Sequence, residues 1–102
     1  MNSLIENRLP EIIAICKEHR VKSIAVFGSA ARNTMHEESD IDFLVQFSEE
    51  IDVMEYADNY FKLLGKLQKI TGKRIDLVSR KSLKNPILIQ EIEASKIDLY
   101  AA

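Results

Sequence analysis

Ile24-Ala25-Val26-Phe27-Gly28-Ser29, followed after ten residues by Asp40-Ile41-Asp42-Phe43-Leu44-Val45-Gln46-Phe47, is the stretch that decides how this chain reads. Its first piece is a short apolar run closed by Gly-Ser, the pattern of a buried strand that ends in a tight turn. In the second piece Ile41, Phe43, Val45 and Phe47 alternate with Asp42, Leu44 and Gln46, and period two predicts a strand. Asp40 and Asp42 are two apart, so they share a face, with Cβ atoms about 7 Å apart. Two ionised carboxylates so placed repel each other when partly buried. Either one takes up a proton or a cation sits between them. Hard divalent cations such as Mg²⁺ prefer oxygen ligands of this kind.

Working outward, Leu9, Ile12, Ile13 and Cys16 recur at helical spacing, which predicts a helix from about Pro10 to His19 with a shorter turn before it. Ala30-Ala31-Arg32 suits the start of a short helix. Asp52 to about Ile70 is the clearest helical segment, with Asp52 as its N-cap and Gly72 just past its end. The expected inner side of that helix carries Val53, Ala57, Tyr60, Leu64 and Leu67. Lys62, Lys66, Lys69 and Lys73 form a stripe opposite, either a plain solvated face or a docking surface for an acidic partner or RNA. Arg74-Ile75-Asp76-Leu77-Val78-Ser79 reads as a third strand, Pro86 to Ser95 as a last helix, and Ile97 to Tyr100 as a final short strand. Helices interleaved with strands predict an α/β layer, a small mixed sheet flanked by helices, over one domain of residues 1–102.

Asp76 stands between Ile75 and Leu77. If the second and third strands are neighbours, it joins Asp40 and Asp42, and three carboxylates on one face suit a two-metal site. Gly28 lets backbone approach a phosphate closely. Ser29 offers a hydroxyl, and successive N–H groups in such a turn attract an anion. Arg32 adds positive charge on the phosphate side. Metal carboxylates beside a phosphate-binding turn suit a nucleoside triphosphate with Mg²⁺. The blander readings are solvated strand acids, an ordinary Gly-Ser turn and a surface arginine.

The chain has 102 residues, 46% of them apolar and 29% charged, with a formal net charge of −2. That balance argues against binding DNA through overall charge. Charge is segregated along the chain. Glu37 to Asp58 holds nine acids and no Lys or Arg, whereas Lys62 to Lys84 holds eight basic residues and one acid. No apolar run approaches the roughly 20 residues needed to span a bilayer. No signal-peptide pattern is evident at the N-terminus. Cys16 is the only cysteine; it reads as a small buried hydrophobe, and a reducing, cytoplasmic setting is expected. His19 and His36 match no metal-ligand spacing, although His36, in the loop before Asp40, lies near enough in sequence to meet a nucleotide. Tyr56, Tyr60 and Phe61 read as packing residues.

Gly28-Ser29 with Asp40-Ile41-Asp42 resembles the signature of the DNA polymerase β-like nucleotidyltransferase superfamily. Phe27-Gly28-Ser29-Ala30-Ala31-Arg32 and Ser39-Asp40-Ile41-Asp42-Phe43-Leu44-Val45 look like its minimal nucleotidyltransferase branch. So do Arg74-Ile75-Asp76-Leu77-Val78 and the tail with Leu83-Lys84-Asn85-Pro86. Asn33 departs from the glycine often found there, though asparagine tolerates a left-handed backbone. The resemblance implies that Asp40 and Asp42 bind two Mg²⁺ ions and that Asp76 completes the site and helps deprotonate an acceptor hydroxyl. It implies that Gly28 and Ser29 hold the triphosphate. The reaction would move a nucleoside monophosphate, AMP from ATP as the leading donor, to a hydroxyl with release of pyrophosphate. Members of this branch act as antitoxins of HEPN-type ribonuclease toxins, in some cases by adenylylating a toxin tyrosine. A chain this short needs a second protein, or a second copy of itself as a homodimer, to complete an acceptor site. Two further readings stand beside this one: a module that neutralises its partner by occlusion, and the catalytic subunit of a split small-molecule transferase.

Overall fold

Two strands can lie parallel in one sheet only if a crossover carries the chain back between them, and the long helix after the second strand does this here. The computed structural model describes residues 2–32 and 40–102. Asn33, His36 and Ser39 lie outside the described residues. The elements run α1 (Ser3–Glu18), β1 (Val21–Phe27), α2 (Gly28–Arg32), β2 (Ile41–Phe47), α3 (Val53–Thr71), β3 (Ile75–Ser79), a 3-10 turn (Arg80–Ser82), α4 (Pro86–Ser95) and β4 (Ile97–Ala101). The strands form one mixed sheet in the order β3-β2-β1-β4. β1 is antiparallel to β2 and β4, and β2 is parallel to β3. The expected mixed α/β sheet flanked by helices is therefore present.

The alternation in β2 sorts the two faces. Ile41, Phe43 and Val45 are fully buried and pack with Ile24 and Val26 of β1 against Ile5 and Ile12 of α1 and Leu63 and Leu67 of α3. Leu44 points the other way and packs with Ala25 and with Ile92 of α4. One face is thus sealed by two long helices, while α4 covers part of the other. Asp42, in phase with Leu44, belongs to that second face.

Caps fix the helix ends where the sequence suggests them. Asp52 Oδ1 accepts from the Glu55 N–H at 2.8 Å. Gly72 closes α3 at φ +66° in the left-handed region, where a residue with a Cβ would be strained. Asn85 Oδ1 accepts from the Ile87 N–H at 2.9 Å and starts α4. Cys16 is fully buried, and burial pushes its thiol up to about 12.

Three expectations are corrected. First, α1 begins at Ser3, capped by Asn2 at 2.8 Å from the Leu4 N–H, and runs through Pro10 rather than from it. The lost bond from position 10 to the Glu6 carbonyl is outweighed by burial of Ile5, which is fully enclosed. Second, β1 begins at Val21, which pairs with Phe47 of β2, and pairing with β4 starts at Ser23. Third, the inner face of α3 is rotated. Leu63, Leu67 and Thr71 are buried, whereas Val53 is 80% exposed and Ala57 and Phe61 lie on the surface. Tyr56 and Tyr60 do pack as expected: their hydroxyls donate to Ser79 Oγ and to the Leu77 carbonyl. Within the lysine stripe, Lys62 pairs with Asp58 at 3.0 Å and Lys66 with Glu18 at 3.0 Å.

Ile5→Ala is expected to lower stability by about 2–4 kcal/mol, because it opens a cavity in a sealed core. Urea unfolding checks this. A helix that began only at Pro10 would leave the substitution nearly neutral.

Candidate functional site

The parallel register of β2 and β3 sets Asp42 directly beside Asp76. Laterally paired residues in a parallel sheet point to the same face, so both carboxylates stand on the face that α1 and α3 leave open. They approach closely enough for a protonated Asp42 to hydrogen-bond Asp76. Burial, then the negative charge of Asp76 and the hydrogen bond to it, with Asp40 further off, push the Asp42 carboxyl from 3.8 up to about 6; Arg32 pulls it the other way. The condition for a cation, unrelieved repulsion between neighbouring acids, is therefore met where half-buried Asp42 lies beside exposed Asp76.

Antiparallel pairing opposes Phe27 to Asp42, and Gly28 follows at once with φ +68°. A Cβ there would collide with Asp42 Oδ2. Both the backbone conformation and the carboxylate therefore require glycine at position 28. Ser29 and Arg32 follow within α2 (Gly28–Arg32), and the positive charge of Arg32 acts on Asp42. The turn reaches this place because β1 ends against the first turn of β2.

Asp40 behaves differently from its expected partner role. It lies just before β2, on the surface, and Oδ1 meets Arg74 Nε at 3.2 Å. The Ile41 N–H donates to the Arg74 carbonyl at 3.0 Å, which ties the two segments together. Among the described residues no three His, Cys, Asp or Glu side chains form a ready-made metal cage. The structure thus joins Asp42 to Asp76 as a pair and gives Asp40 a counter-ion instead. Hard oxygen donors under mutual repulsion fit a dication such as Mg²⁺, with Asp40 available from the flank.

Arg74 is the site residue that sequence reading passed over. The signal was there: it lies two positions before Asp76, on the same face by strand period, where a cation beside three acids is informative. An open groove lies at the other end of the sheet. It measures about 530 Å³ and is lined by Lys17, Arg20, Lys22, Glu49, Glu50 and Tyr100 among others. Five residues of β1, Ser23 to Phe27, separate Lys22 in its lining from Gly28, roughly 20 Å along the strand. None of the acids at the β2–β3 pairing lines it. Within it Lys22 meets Glu49 at 3.7 Å and Arg20 meets Glu50 at 4.0 Å. No helix among the described residues is long and apolar enough to cross a membrane.

With this geometry in hand, similarity to known proteins is specific. Residues 9–99 match the family model described as "Nucleotidyltransferase domain". A Methanocaldococcus jannaschii protein named "Putative protein adenylyltransferase MJ1379" is 40% identical over 97 residues, covering 87% of this chain and 95% of that protein. Protein adenylyltransferase MntA of Thermococcus cleftensis is 36% identical over 87 residues, covering 78% and 84%. Among solved structures, a toxin–antitoxin crystal structure with AMP-PNP superposes with a TM-score of 0.72 at 25% identity, covering 92% of this chain and 73% of that one.

The raised pKa of Asp42 has a measurable consequence. A carboxyl higher in the folded state than in the unfolded one favours folding below the unfolded value, and that contribution is lost as pH rises through about 4 to about 6. Without divalent cations, Asp42→Asn is expected to be more stable than wild type at neutral pH by about 1 kcal/mol after solvent screening. The gap closes below about pH 4. Thermal melts across pH check this; equal melting temperatures at neutral pH would remove the repulsion from the account.

Proposed function

The chain belongs to the nucleotidyltransferase-domain family, and from that premise we propose that it transfers AMP from ATP to a tyrosine hydroxyl of a HEPN-type ribonuclease toxin, acting as the antitoxin. The observation that carries this reading is the Asp42–Asp76 pair against Gly28, an acidic site beside a turn that admits a phosphate chain. Support for the donor and the partner comes from similarity to a protein adenylyltransferase and to a toxin–antitoxin structure with AMP-PNP.

In this proposal Asp40, Asp42 and Asp76 hold two Mg²⁺ ions. Held by these carboxylates, such ions would supply charge neutralisation at the phosphates and would favour the ionised acceptor oxygen. Asp40 exchanges the Arg74 guanidinium for that role. Gly28 and Ser29 hold the triphosphate and Arg32 adds positive charge to it. The acceptor oxygen forms a bond to the α-phosphorus, the bond from that phosphorus to the bridging oxygen breaks, and pyrophosphate leaves. Asp76 takes the proton of the acceptor hydroxyl. Positioning and charge neutralisation supply most of what such a transfer needs. The partly uncovered second face leaves room for the acceptor protein. ATP as donor suits a cytoplasmic enzyme, and a second copy of the chain is a further candidate partner.

The test is the intact mass of a co-expressed HEPN-type partner after incubation with this chain, ATP and Mg²⁺. The expected result is a gain of one or more AMP units, absent with Asp42→Asn. A stable complex with no gain in mass would contradict catalysis and favour neutralisation by occlusion.

A further inference from the structure

α3 carries an apolar stripe that nothing among the described residues covers. Val53 and Met54 are 80% exposed and Phe61 is 68% exposed, and Ala57 and Gly65 complete the line at helical spacing. α1 packs on the far flank, where Lys66 reaches Glu18. Gly65 is unusual on this stripe. Glycine weakens a helix interior, its φ is not positive, and a Cβ there would meet nothing within 4 Å. Nothing among the described residues requires a glycine in the middle of this long helix, whereas a second helix approaching closely would.

Charge identifies that second helix. The first half of α3 carries Asp52 at its cap, Glu55 and Asp58; the second half carries Lys62, Lys66 and Lys69. Glu55 and Lys69 are nearly four full turns apart, so they border the same side of the helix. Neither side chain has an ion-pair partner among the described residues. An antiparallel copy of α3 sets the acidic half of each helix on the basic half of the other. With the two-fold axis beside Phe61, Glu55 faces Lys69 of the second copy, while Asp58 and Lys66 keep their partners within the chain, Lys62 and Glu18. The same patch then serves both subunits, as a two-fold interface requires. Parallel pairing would set acid against acid and base against base.

We propose that this face of α3 is a self-association surface, on which a second copy of this chain docks antiparallel with Phe61 at the centre and Gly65 admitting the facing helix. The surface lies on the helix that covers the sealed face of the sheet, so a dimer formed there leaves the Asp42–Asp76 pair accessible in both copies. The inference does not depend on the transfer reaction.

Sedimentation velocity of the full chain, from micromolar to submillimolar concentration at low salt, tests it. The wild type is expected to associate to a dimer that weakens as salt rises. Phe61→Glu is expected to be monomeric throughout with an unchanged circular dichroism spectrum, because the side chain is on the surface. Glu55→Lys and Lys69→Glu are each expected to weaken the dimer about threefold to tenfold, and the double variant to return to within about twofold of wild type. A monomeric wild type at the highest concentration would overturn the proposal. So would a dimer indifferent to Phe61→Glu, or charge reversals that fail to compensate each other. Association of this face only with an added HEPN-type protein would overturn it in favour of that occupant.

Discussion

Repulsion between Asp42 and Asp76 is the constraint around which the sheet is arranged. Two carboxylates placed side by side do not stay there unaided; they are held by the parallel pairing of β2 with β3. That pairing needs a crossover, and α3 is it. The crossover must also be paid for in buried apolar surface, which Leu63 and Leu67 supply against Phe43 and Leu77. The site and the core are therefore two faces of the same strands. Residues one position apart in β2 serve opposite ends: Phe43 closes the core while Asp42 faces away from it.

Gly28 is the second half of that arrangement. β1 ends opposite Asp42, and the chain turns at once with a left-handed backbone over the carboxylate. No side chain fits between them. This brings a turn able to approach phosphate next to acids able to attract a cation, and Arg32 follows within one helical turn. Arg74 balances the flank by holding Asp40. Opposite charges thus converge on one end of one sheet face, while the groove at the other end pairs its own charges internally.

Much of this is legible in the sequence, for definite physical reasons. Period two in Ile41–Phe47 and the Gly28-Ser29 stop give the strand, the turn and the face of Asp42 directly, because those signals are local. Asp52, Gly72 and Asn85 mark helix ends because caps are local too. The chain is less legible where tertiary burial decides. The first turn of α1 forms because Ile5 has a core to enter, a fact that Pro10 conceals. The inner face of α3 depends on where the sheet lies, and apolar spacing alone selects Val53 and Ala57 over Leu63. The ion pair of Asp40 with Arg74 joins segments 34 positions apart, and its strand neighbourhood is visible only once β2 and β3 are known to pair.

The central claim is that the Asp42–Asp76 pair with the Gly28 turn is where a nucleotide and its cation bind. Paramagnetic broadening of backbone amide resonances by Mn²⁺ with ATP tests it most directly. The account predicts that amides at Gly28, Ser29, Asp42 and Asp76 broaden first, that those at Lys17, Arg20, Lys22 and Glu49 stay sharp, and that Asp42→Asn abolishes the effect. Broadening centred on the groove around Lys17 and Arg20, or unchanged by Asp42→Asn, would contradict it.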